Sequence, residues 1–218
     1  MLEYLQKMQK KADFALFKKP PFIQVDLEIT NVCNARCNFC RIWEKPNYNA
    51  SQIPAKVWIN TLSRLNNFTK IEYVCIAGGE PFLYTELMPF IRAMSNLKIE
   101  TTIVTNGSMV TKEICHELVE SGLANIDFSI DNFSRKHNKA RGIKNLFERC
   151  VESIYYIKKI KPDMSVGISS IIYEDNIRDI PIFLKWALTL PIDKIIFVLF
   201  ELPWMIIDFD RVLLRLLG

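Results

Sequence analysis

Cys33-Asn34-Ala35-Arg36-Cys37-Asn38-Phe39-Cys40 sets three thiols at C-x₃-C-x₂-C spacing within eight residues. Side chains that close cannot all pair with one another as disulfides. As thiolates they suit a soft metal centre: zinc, copper(I) or an iron–sulfur cluster. A structural zinc site closes its tetrahedron with a fourth ligand, often from a second Cys or His pair. No second close pair occurs here, because Cys75, Cys115 and Cys150 stand apart and the only histidines are His116 and His137. A [4Fe–4S] cube normally takes four cysteines, so three leave one iron open to a ligand from outside the protein.

Immediately upstream, Ile23, Val25, Leu27 and Ile29 alternate with polar residues, which predicts a strand from Ile23 to Thr30. Downstream the pattern switches repeatedly between periods. Helical spacing is expected over Ser51–Phe68, Tyr84–Asn96, Thr111–Ser121, Ile143–Ile160 and Ile177–Leu190. Between these lie apolar β-rich runs at Ile71–Ala77, Ile99–Thr105, Ala124–Ile130, Ser165–Ile172 and Lys194–Phe200. Gly122 stands where a left-handed helix cap is expected. Strand then helix, repeated with short connections, argues for parallel βαβ units. Periodicity alone leaves two architectures open, a doubly wound sheet or a barrel that need not close.

The chain has 218 residues, half of them hydrophobic and 24% charged, which bounds it as globular and large enough for a substantial core. A net charge of +4, spread along the chain, is not a nucleic-acid footprint. The longest apolar region, Ile195–Ile207, is broken by Glu201 and Pro203 and falls short of the ~20 residues of a membrane span. Six cysteines without a secretory leader point to a reducing, cytoplasmic setting. The expected division is an N-terminal amphipathic helix and linker (1–22), a core (23–200) and a short apolar tail (201–218). That tail offers a surface for self-association or a partner.

In parallel α/β folds chemistry gathers where strands end. The cysteines follow the first strand, Gly78-Gly79-Glu80-Pro81 the second, Thr105-Asn106-Gly107 the third, and Ser129-Ile130-Asp131 ends the fourth. Paired glycines let backbone approach a ligand closely.

The C-x₃-C-x-φ-C pattern with Phe39, together with Gly78-Gly79-Glu80, resembles the radical S-adenosylmethionine enzymes. The resemblance covers Val25 to about Phe200. It implies a partial (β/α)₆ TIM-type barrel of parallel strands, a [4Fe–4S] cluster on Cys33, Cys37 and Cys40, and S-adenosyl-L-methionine on the open iron. It further implies cofactor-binding roles for Phe39, Gly78, Gly79, Glu80, Asn106, Ser129 and Arg141. An external one-electron donor such as a flavodoxin or ferredoxin would feed the cluster, and a 5′-deoxyadenosyl radical would abstract hydrogen from a substrate. His137 to Gly142 (H-N-K-A-R-G) resembles a stretch of the peptide-modifying members, which makes a peptide the leading substrate class. Those members carry a C-terminal domain with further cysteines that this sequence lacks. Two residues depart from the pattern: Asn132 stands where glycine is common, and Asn138 where aspartate is common. Two other classes stay compatible with the sequence, an electron-transfer or structural iron–sulfur protein and a shortened, inactive family member that serves as a binding partner. Cys75, Cys115 and Cys150 are expected as buried core thiols.

Overall fold

The computed structural model describes residues 22–44 and 52–199. Six parallel strands make one sheet: β1 (Ile23–Thr30), β2 (Ile71–Gly78), β3 (Glu100–Thr105), β4 (Asn125–Ser129), β5 (Ser165–Ile172) and β6 (Lys194–Leu199). They lie in the order β1-β2-β3-β4-β5-β6. A doubly wound sheet reverses strand order at a switch point and carries helices on both faces. Here each strand is added beside the last, so right-handed crossovers put the helices on one face. Strand twist then curls the array into a half-barrel, a partial TIM-type barrel. The helix and tail expected over 1–22 and 201–218 lie outside the described residues, apart from Phe22.

The helices are α1 (Ala55–Phe68), α2 (Leu87–Asn96), α3 (Lys112–Ser121), α4 (Ser134–Arg141), α5 (Leu146–Ile160) and α6 (Ile180–Ala187). Alternation along the strands sorts the core. Val74, Ile76, Ile103, Ile126, Phe128, Val166 and Ile168 are fully buried on the convex side, against Phe90, Ile91, Leu118, Ile154 and Phe183 of the helices. Thr111 caps α3 by accepting from the Ile114 amide, and Gly122 ends that helix at φ 81°. Several helices begin later than periodicity suggests. For α5 the cause is Asn145, in a left-handed conformation just before Leu146.

Two expectations need correction. Helix α4 was not anticipated, because S-R-K-H-N-K-A-R carries no apolar stripe. Its buried face is His137, Ala140 and Arg141, at helical spacing but made mostly of polar side chains that find partners inside. Cys75 is only half-buried, unlike Cys115 and Cys150. It lies on the concave face, in register with Asp26 on β1 and Thr102 on β3. Burial still pushes its thiol pKa up, with Asp26 and Asp127 adding to the effect.

Across the concave face Asp127, Gly167 and Lys194 are register partners on β4, β5 and β6. Lys194 Nζ lies 3.0 Å from Asp127 Oδ2. Gly167 is bare because this pair fills the space above it: an added Cβ would sit 2.3 Å from Asp127 Oδ1 and 2.8 Å from Lys194 Cγ. Gly167→Ala is therefore expected to destabilise the fold by about 1–3 kcal/mol, the usual range for overpacking. Combined with Asp127→Ala it should cost less than the sum of the two single changes, since the clash goes with the carboxylate. Urea denaturation of the four-member cycle measures this, and strict additivity would show that the pair does not define the site.

Candidate metal and cofactor site

The cysteine loop leaves β1 at Thr30, whose hydroxyl accepts from the Val32 amide at 3.1 Å. Cys37 is buried at 7% exposure, while Cys33 and Cys40 are half-buried. None of the six cysteines is in a disulfide. The loop is held by the end of α4: the Arg36 amide donates to the Arg141 carbonyl at 3.0 Å and the Asn38 amide to the Ala140 carbonyl at 2.9 Å. Gly142, at φ 68°, follows because the chain there passes close behind Arg36, where an added Cβ would meet Arg36 Cβ at 3.0 Å. Trp43 Nε1 donates to the Cys37 carbonyl at 3.3 Å and closes the far side. Burial raises the pKa of Cys33 and takes that of Cys37 up to about 11; Arg141 opposes the rise at Cys37, while Cys33 adds to it.

Gly78 and Gly79 meet protein backbone. An added Cβ at Gly78 would lie 2.4 Å from the Thr30 carbonyl oxygen, and one at Gly79 only 2.1 Å from that of Val32. The close approach lets the Gly79 amide donate to Thr30 at 2.7 Å and the Glu80 amide to Val32 at 2.8 Å, which fixes the root of the cysteine loop. Glu80 is fully buried. Its carboxylate accepts from Thr105 Oγ1 at 2.7 Å, the Asn106 amide at 2.8 Å and the Phe82 amide at 3.3 Å. Burial moves its pKa upward, against the pull of these bonds, Thr105 first. Asn106 passes the bracing on: its side-chain amide donates to Asn34 Oδ1 at 2.9 Å and its oxygen accepts from the Ser108 amide at 2.8 Å.

At the end of β4, Asp131 is the hub of a buried network. Arg141 donates to it twice, from Nε at 2.7 Å and Nη2 at 3.0 Å, and the Ile171 amide donates at 2.9 Å. The bidentate edge of Arg141 is thus occupied by a carboxylate of its own chain. Burial disfavours its charge, but the neighbouring Asp131 outweighs that and raises its pKa. His137 Nδ1 accepts from the Asp131 amide at 3.3 Å, which assigns the proton to Nε2. Asn138 and Asn132, the two departures, are both employed. Asn138 accepts from the Phe147 amide at 2.8 Å, and Asn132 donates to Asp179 at 2.8 Å.

Ser129 lies half-buried at the end of β4, on the concave face, in register with Ser169. Phe39 stacks on Tyr173 with ring centroids 4.9 Å apart, and the Arg141 guanidinium carbon lies 5.4 Å from the Phe39 centroid. Phe39, Cys40, Glu28, Ile171, Tyr173 and Asp175 help line a cavity of about 700 Å³. Tyr173 and Asn176 escaped the sequence reading. Asn176 is fully buried and donates to the Asp131 and Ile171 carbonyls, while its oxygen accepts from the Tyr173 amide. The signal was present: Tyr173-Glu174-Asp175-Asn176 directly follows the fifth strand, where a functional loop belongs.

Among the described residues no three His, Cys, Asp or Glu side chains converge on a point that would hold a single ion. A cubane asks for something different, since its three thiolates bind three separate irons. The one-loop donor set fits that group.

Residues 27–187, well over half the chain, match the model of the radical SAM superfamily. The chain belongs to that superfamily. Its members use a [4Fe–4S] cluster and S-adenosylmethionine. PqqA peptide cyclase of Bradyrhizobium diazoefficiens is 21% identical over 174 residues, covering 79% of this chain and 45% of the relative. A tungsten-containing aldehyde ferredoxin oxidoreductase cofactor-modifying protein of Pyrococcus furiosus is 25% identical, covering 78% of this chain and 49% of the relative. Streptococcus suis SuiB bound to S-adenosylmethionine superposes with a TM-score of 0.78 at 20% identity, over 99% of this chain and 52% of that one. At that identity the likeness speaks for the fold. The chain spans about half the length of these relatives. Among the described residues no helix is long and apolar enough to cross a membrane.

Two outcomes follow from this geometry. Gly79→Ala drives a Cβ into backbone that cannot swing aside, so the loop root must shift. Stability should fall by on the order of 1–3 kcal/mol, and iron per folded chain after anaerobic reconstitution should fall with it; full iron content would show that the loop does not depend on this contact. His137 gives a pH signature. Burial first and the Arg141 charge second depress its pKa to about 4, the Asp131 carboxylate at 3.7 Å opposing without prevailing. The unfolded chain takes up that proton near pH 6.5, so the contribution is complete above 6.5 and is lost as pH falls toward 4, by up to about 1.4 kcal/mol per unit. His137→Asn keeps an acceptor for the Asp131 amide and should flatten this part of the curve between pH 7.5 and 4.5. An unchanged slope would assign the acid sensitivity elsewhere.

Proposed function

We propose that this chain cleaves S-adenosylmethionine reductively and directs the resulting radical to a substrate hydrogen, a peptide being the leading class. The observation that carries this reading is the single loop bearing Cys33, Cys37 and Cys40, braced from β2, β3 and α4, beside a cavity walled by Phe39 and Tyr173. The three cysteines would hold the cluster. When bound, cluster and cofactor together supply a one-electron cleavage to methionine and a 5′-deoxyadenosyl radical.

The chain's own residues divide the remaining work. Two aromatic rings and Ile171 offer a wall suited to a planar base such as adenine. Ser129 offers a hydroxyl from the concave face. Glu80 Oε2 carries one bond and keeps a lone pair for a cofactor ammonium, while Gly78, Gly79, Asn106 and Arg141 act by fixing the loops around it. Peptide as the substrate class is supported by relatives whose names carry it, among them PqqA peptide cyclase and SuiB, solved with precursor peptide SuiA. A reduced flavodoxin or ferredoxin is the expected donor, and a reducing, cytoplasmic compartment suits six thiols without a disulfide.

The test is anaerobic reconstitution, reduction with dithionite and assay for 5′-deoxyadenosine. Replacing Cys75, Cys115 and Cys150 together by Ala should leave about four irons per chain and preserve product, whereas Ala at Cys33, Cys37 or Cys40 should abolish it. A loaded, folded chain that forms no deoxyadenosine would instead be an electron-transfer or structural iron–sulfur protein.

A further inference from the structure

We propose that the outward face of α4, with the turn after it, is the docking surface for an acidic one-electron carrier protein. The inference rests on the radical SAM reading and adds where the electron enters.

The first observation is charge. Arg135, Lys136 and Lys139 on α4, Lys144 just beyond it, and Arg36 and Arg41 on the cysteine loop are all exposed. Of the acids nearby, Asp179 and Glu44 are paired with cations and Glu148 is hydrogen-bonded by neutral groups, while exposed Asp175 shares a surface hollow with Lys136 and Lys139. Asp179 takes Lys136 at 2.5 Å and Asn132 at 2.8 Å, Glu148 accepts from Ser134 and Asn138, and Glu44 lies 4.0 Å from Arg41. Of the six cations named, that leaves Arg135, Lys139, Lys144 and Arg36 without an ion pair among the described residues. Arg135 and Lys139 are four apart on the helix and share a face, opposite the buried His137, Ala140 and Arg141. Four unpaired cations against Glu148 and Asp175 leave this face net positive, and a net cationic face raises the encounter rate of an acidic partner by 10–10³-fold and fixes its orientation.

The second observation is the path behind that face. The last two carbonyls of α4 accept from the amides of Arg36 and Asn38, and Cys37 is the residue between them. A carrier resting on α4 is thus separated from Cys37 by one helix, about 10–12 Å across, with hydrogen-bonded backbone in the gap. Approach from the concave side would compete with cofactor and substrate for the barrel mouth. Approach over α4 leaves the mouth open. One electron leaves the carrier, which is oxidised by one equivalent, and reduces the metal centre held by the cysteines; no atom is transferred.

The test uses the reconstituted full chain, its R135E/K139E/K144E variant, and flavodoxin as the probe. Calorimetry with oxidised flavodoxin should show binding to the wild type that weakens about tenfold or more as salt rises through the range where the Debye length falls below ~10 Å. The variant should bind at least about tenfold more weakly at low salt. Deoxyadenosine formation driven by reduced flavodoxin should drop in proportion, while formation driven by dithionite stays within about twofold, which also reports that the variant is folded and loaded. Equal binding and equal flavodoxin-driven rates in both proteins overturn the proposal, as does salt-independent binding by the wild type. Should dithionite yield no deoxyadenosine even in the wild type, the radical reading fails, and the calorimetry still decides the docking surface by itself.

Discussion

The bidentate bond from Arg141 to Asp131 is the interaction on which the site depends. Two charges taken out of water break even only when geometry is good and each remaining polar position is filled. Here Asp131 also accepts the Ile171 amide, so one carboxylate joins the end of β4 to β5 and to α4. Removing either partner would strand the other in the interior, a loss of about 3–5 kcal/mol in comparable buried pairs. The consequence reaches the cysteines, because the carbonyl of that same arginine receives the Arg36 amide. Position is handed along from strand to carboxylate, to guanidinium, to helix end, to thiol loop.

Glu80 does the corresponding work on the other flank. Its carboxylate draws together the loops after β2 and β3, and Asn106 extends that grip to Asn34 inside the cysteine stretch. The loop is therefore clasped from two sides by buried acids whose partners are in the same chain. Such a site holds its shape before anything binds, so little ordering cost remains for a cofactor to meet. It also means that a residue at a family motif position can serve the ligand by way of its neighbours.

The strands were legible because half their side chains face helices and must be apolar, and period two survives that demand. Strand order was not legible from periodicity, since a doubly wound sheet and a half-barrel ask the same of each strand; the resemblance of the cysteine and glycine motifs is what pointed to the barrel. Helix α4 was invisible for a clear reason. Its inner face is held by hydrogen bonds and an ion pair, so it never needed the apolar stripe by which helices are found. The same blindness applied to partners: Arg141 was recognisable from the resemblance as a cofactor-side residue, but nothing in its neighbourhood in sequence announced that its guanidinium would be taken by Asp131. Gly78 and Gly79 were read for closeness to a ligand, and their closeness proved to be to the backbone of the next loop.

Among the described residues β1 and β6 have no strand on their outer edges, so the sheet is a trough and not a tube. The difference is topological. A tube is filled only through its two ends, and a long polymer must offer a terminus and be threaded. A trough accepts an interior stretch laid in sideways, with both flanks of the polymer running on outside, so the distance of the reacting unit from either end ceases to matter. Ile196 and Val198 of β6 stand exposed along that open side, so the rim there is apolar.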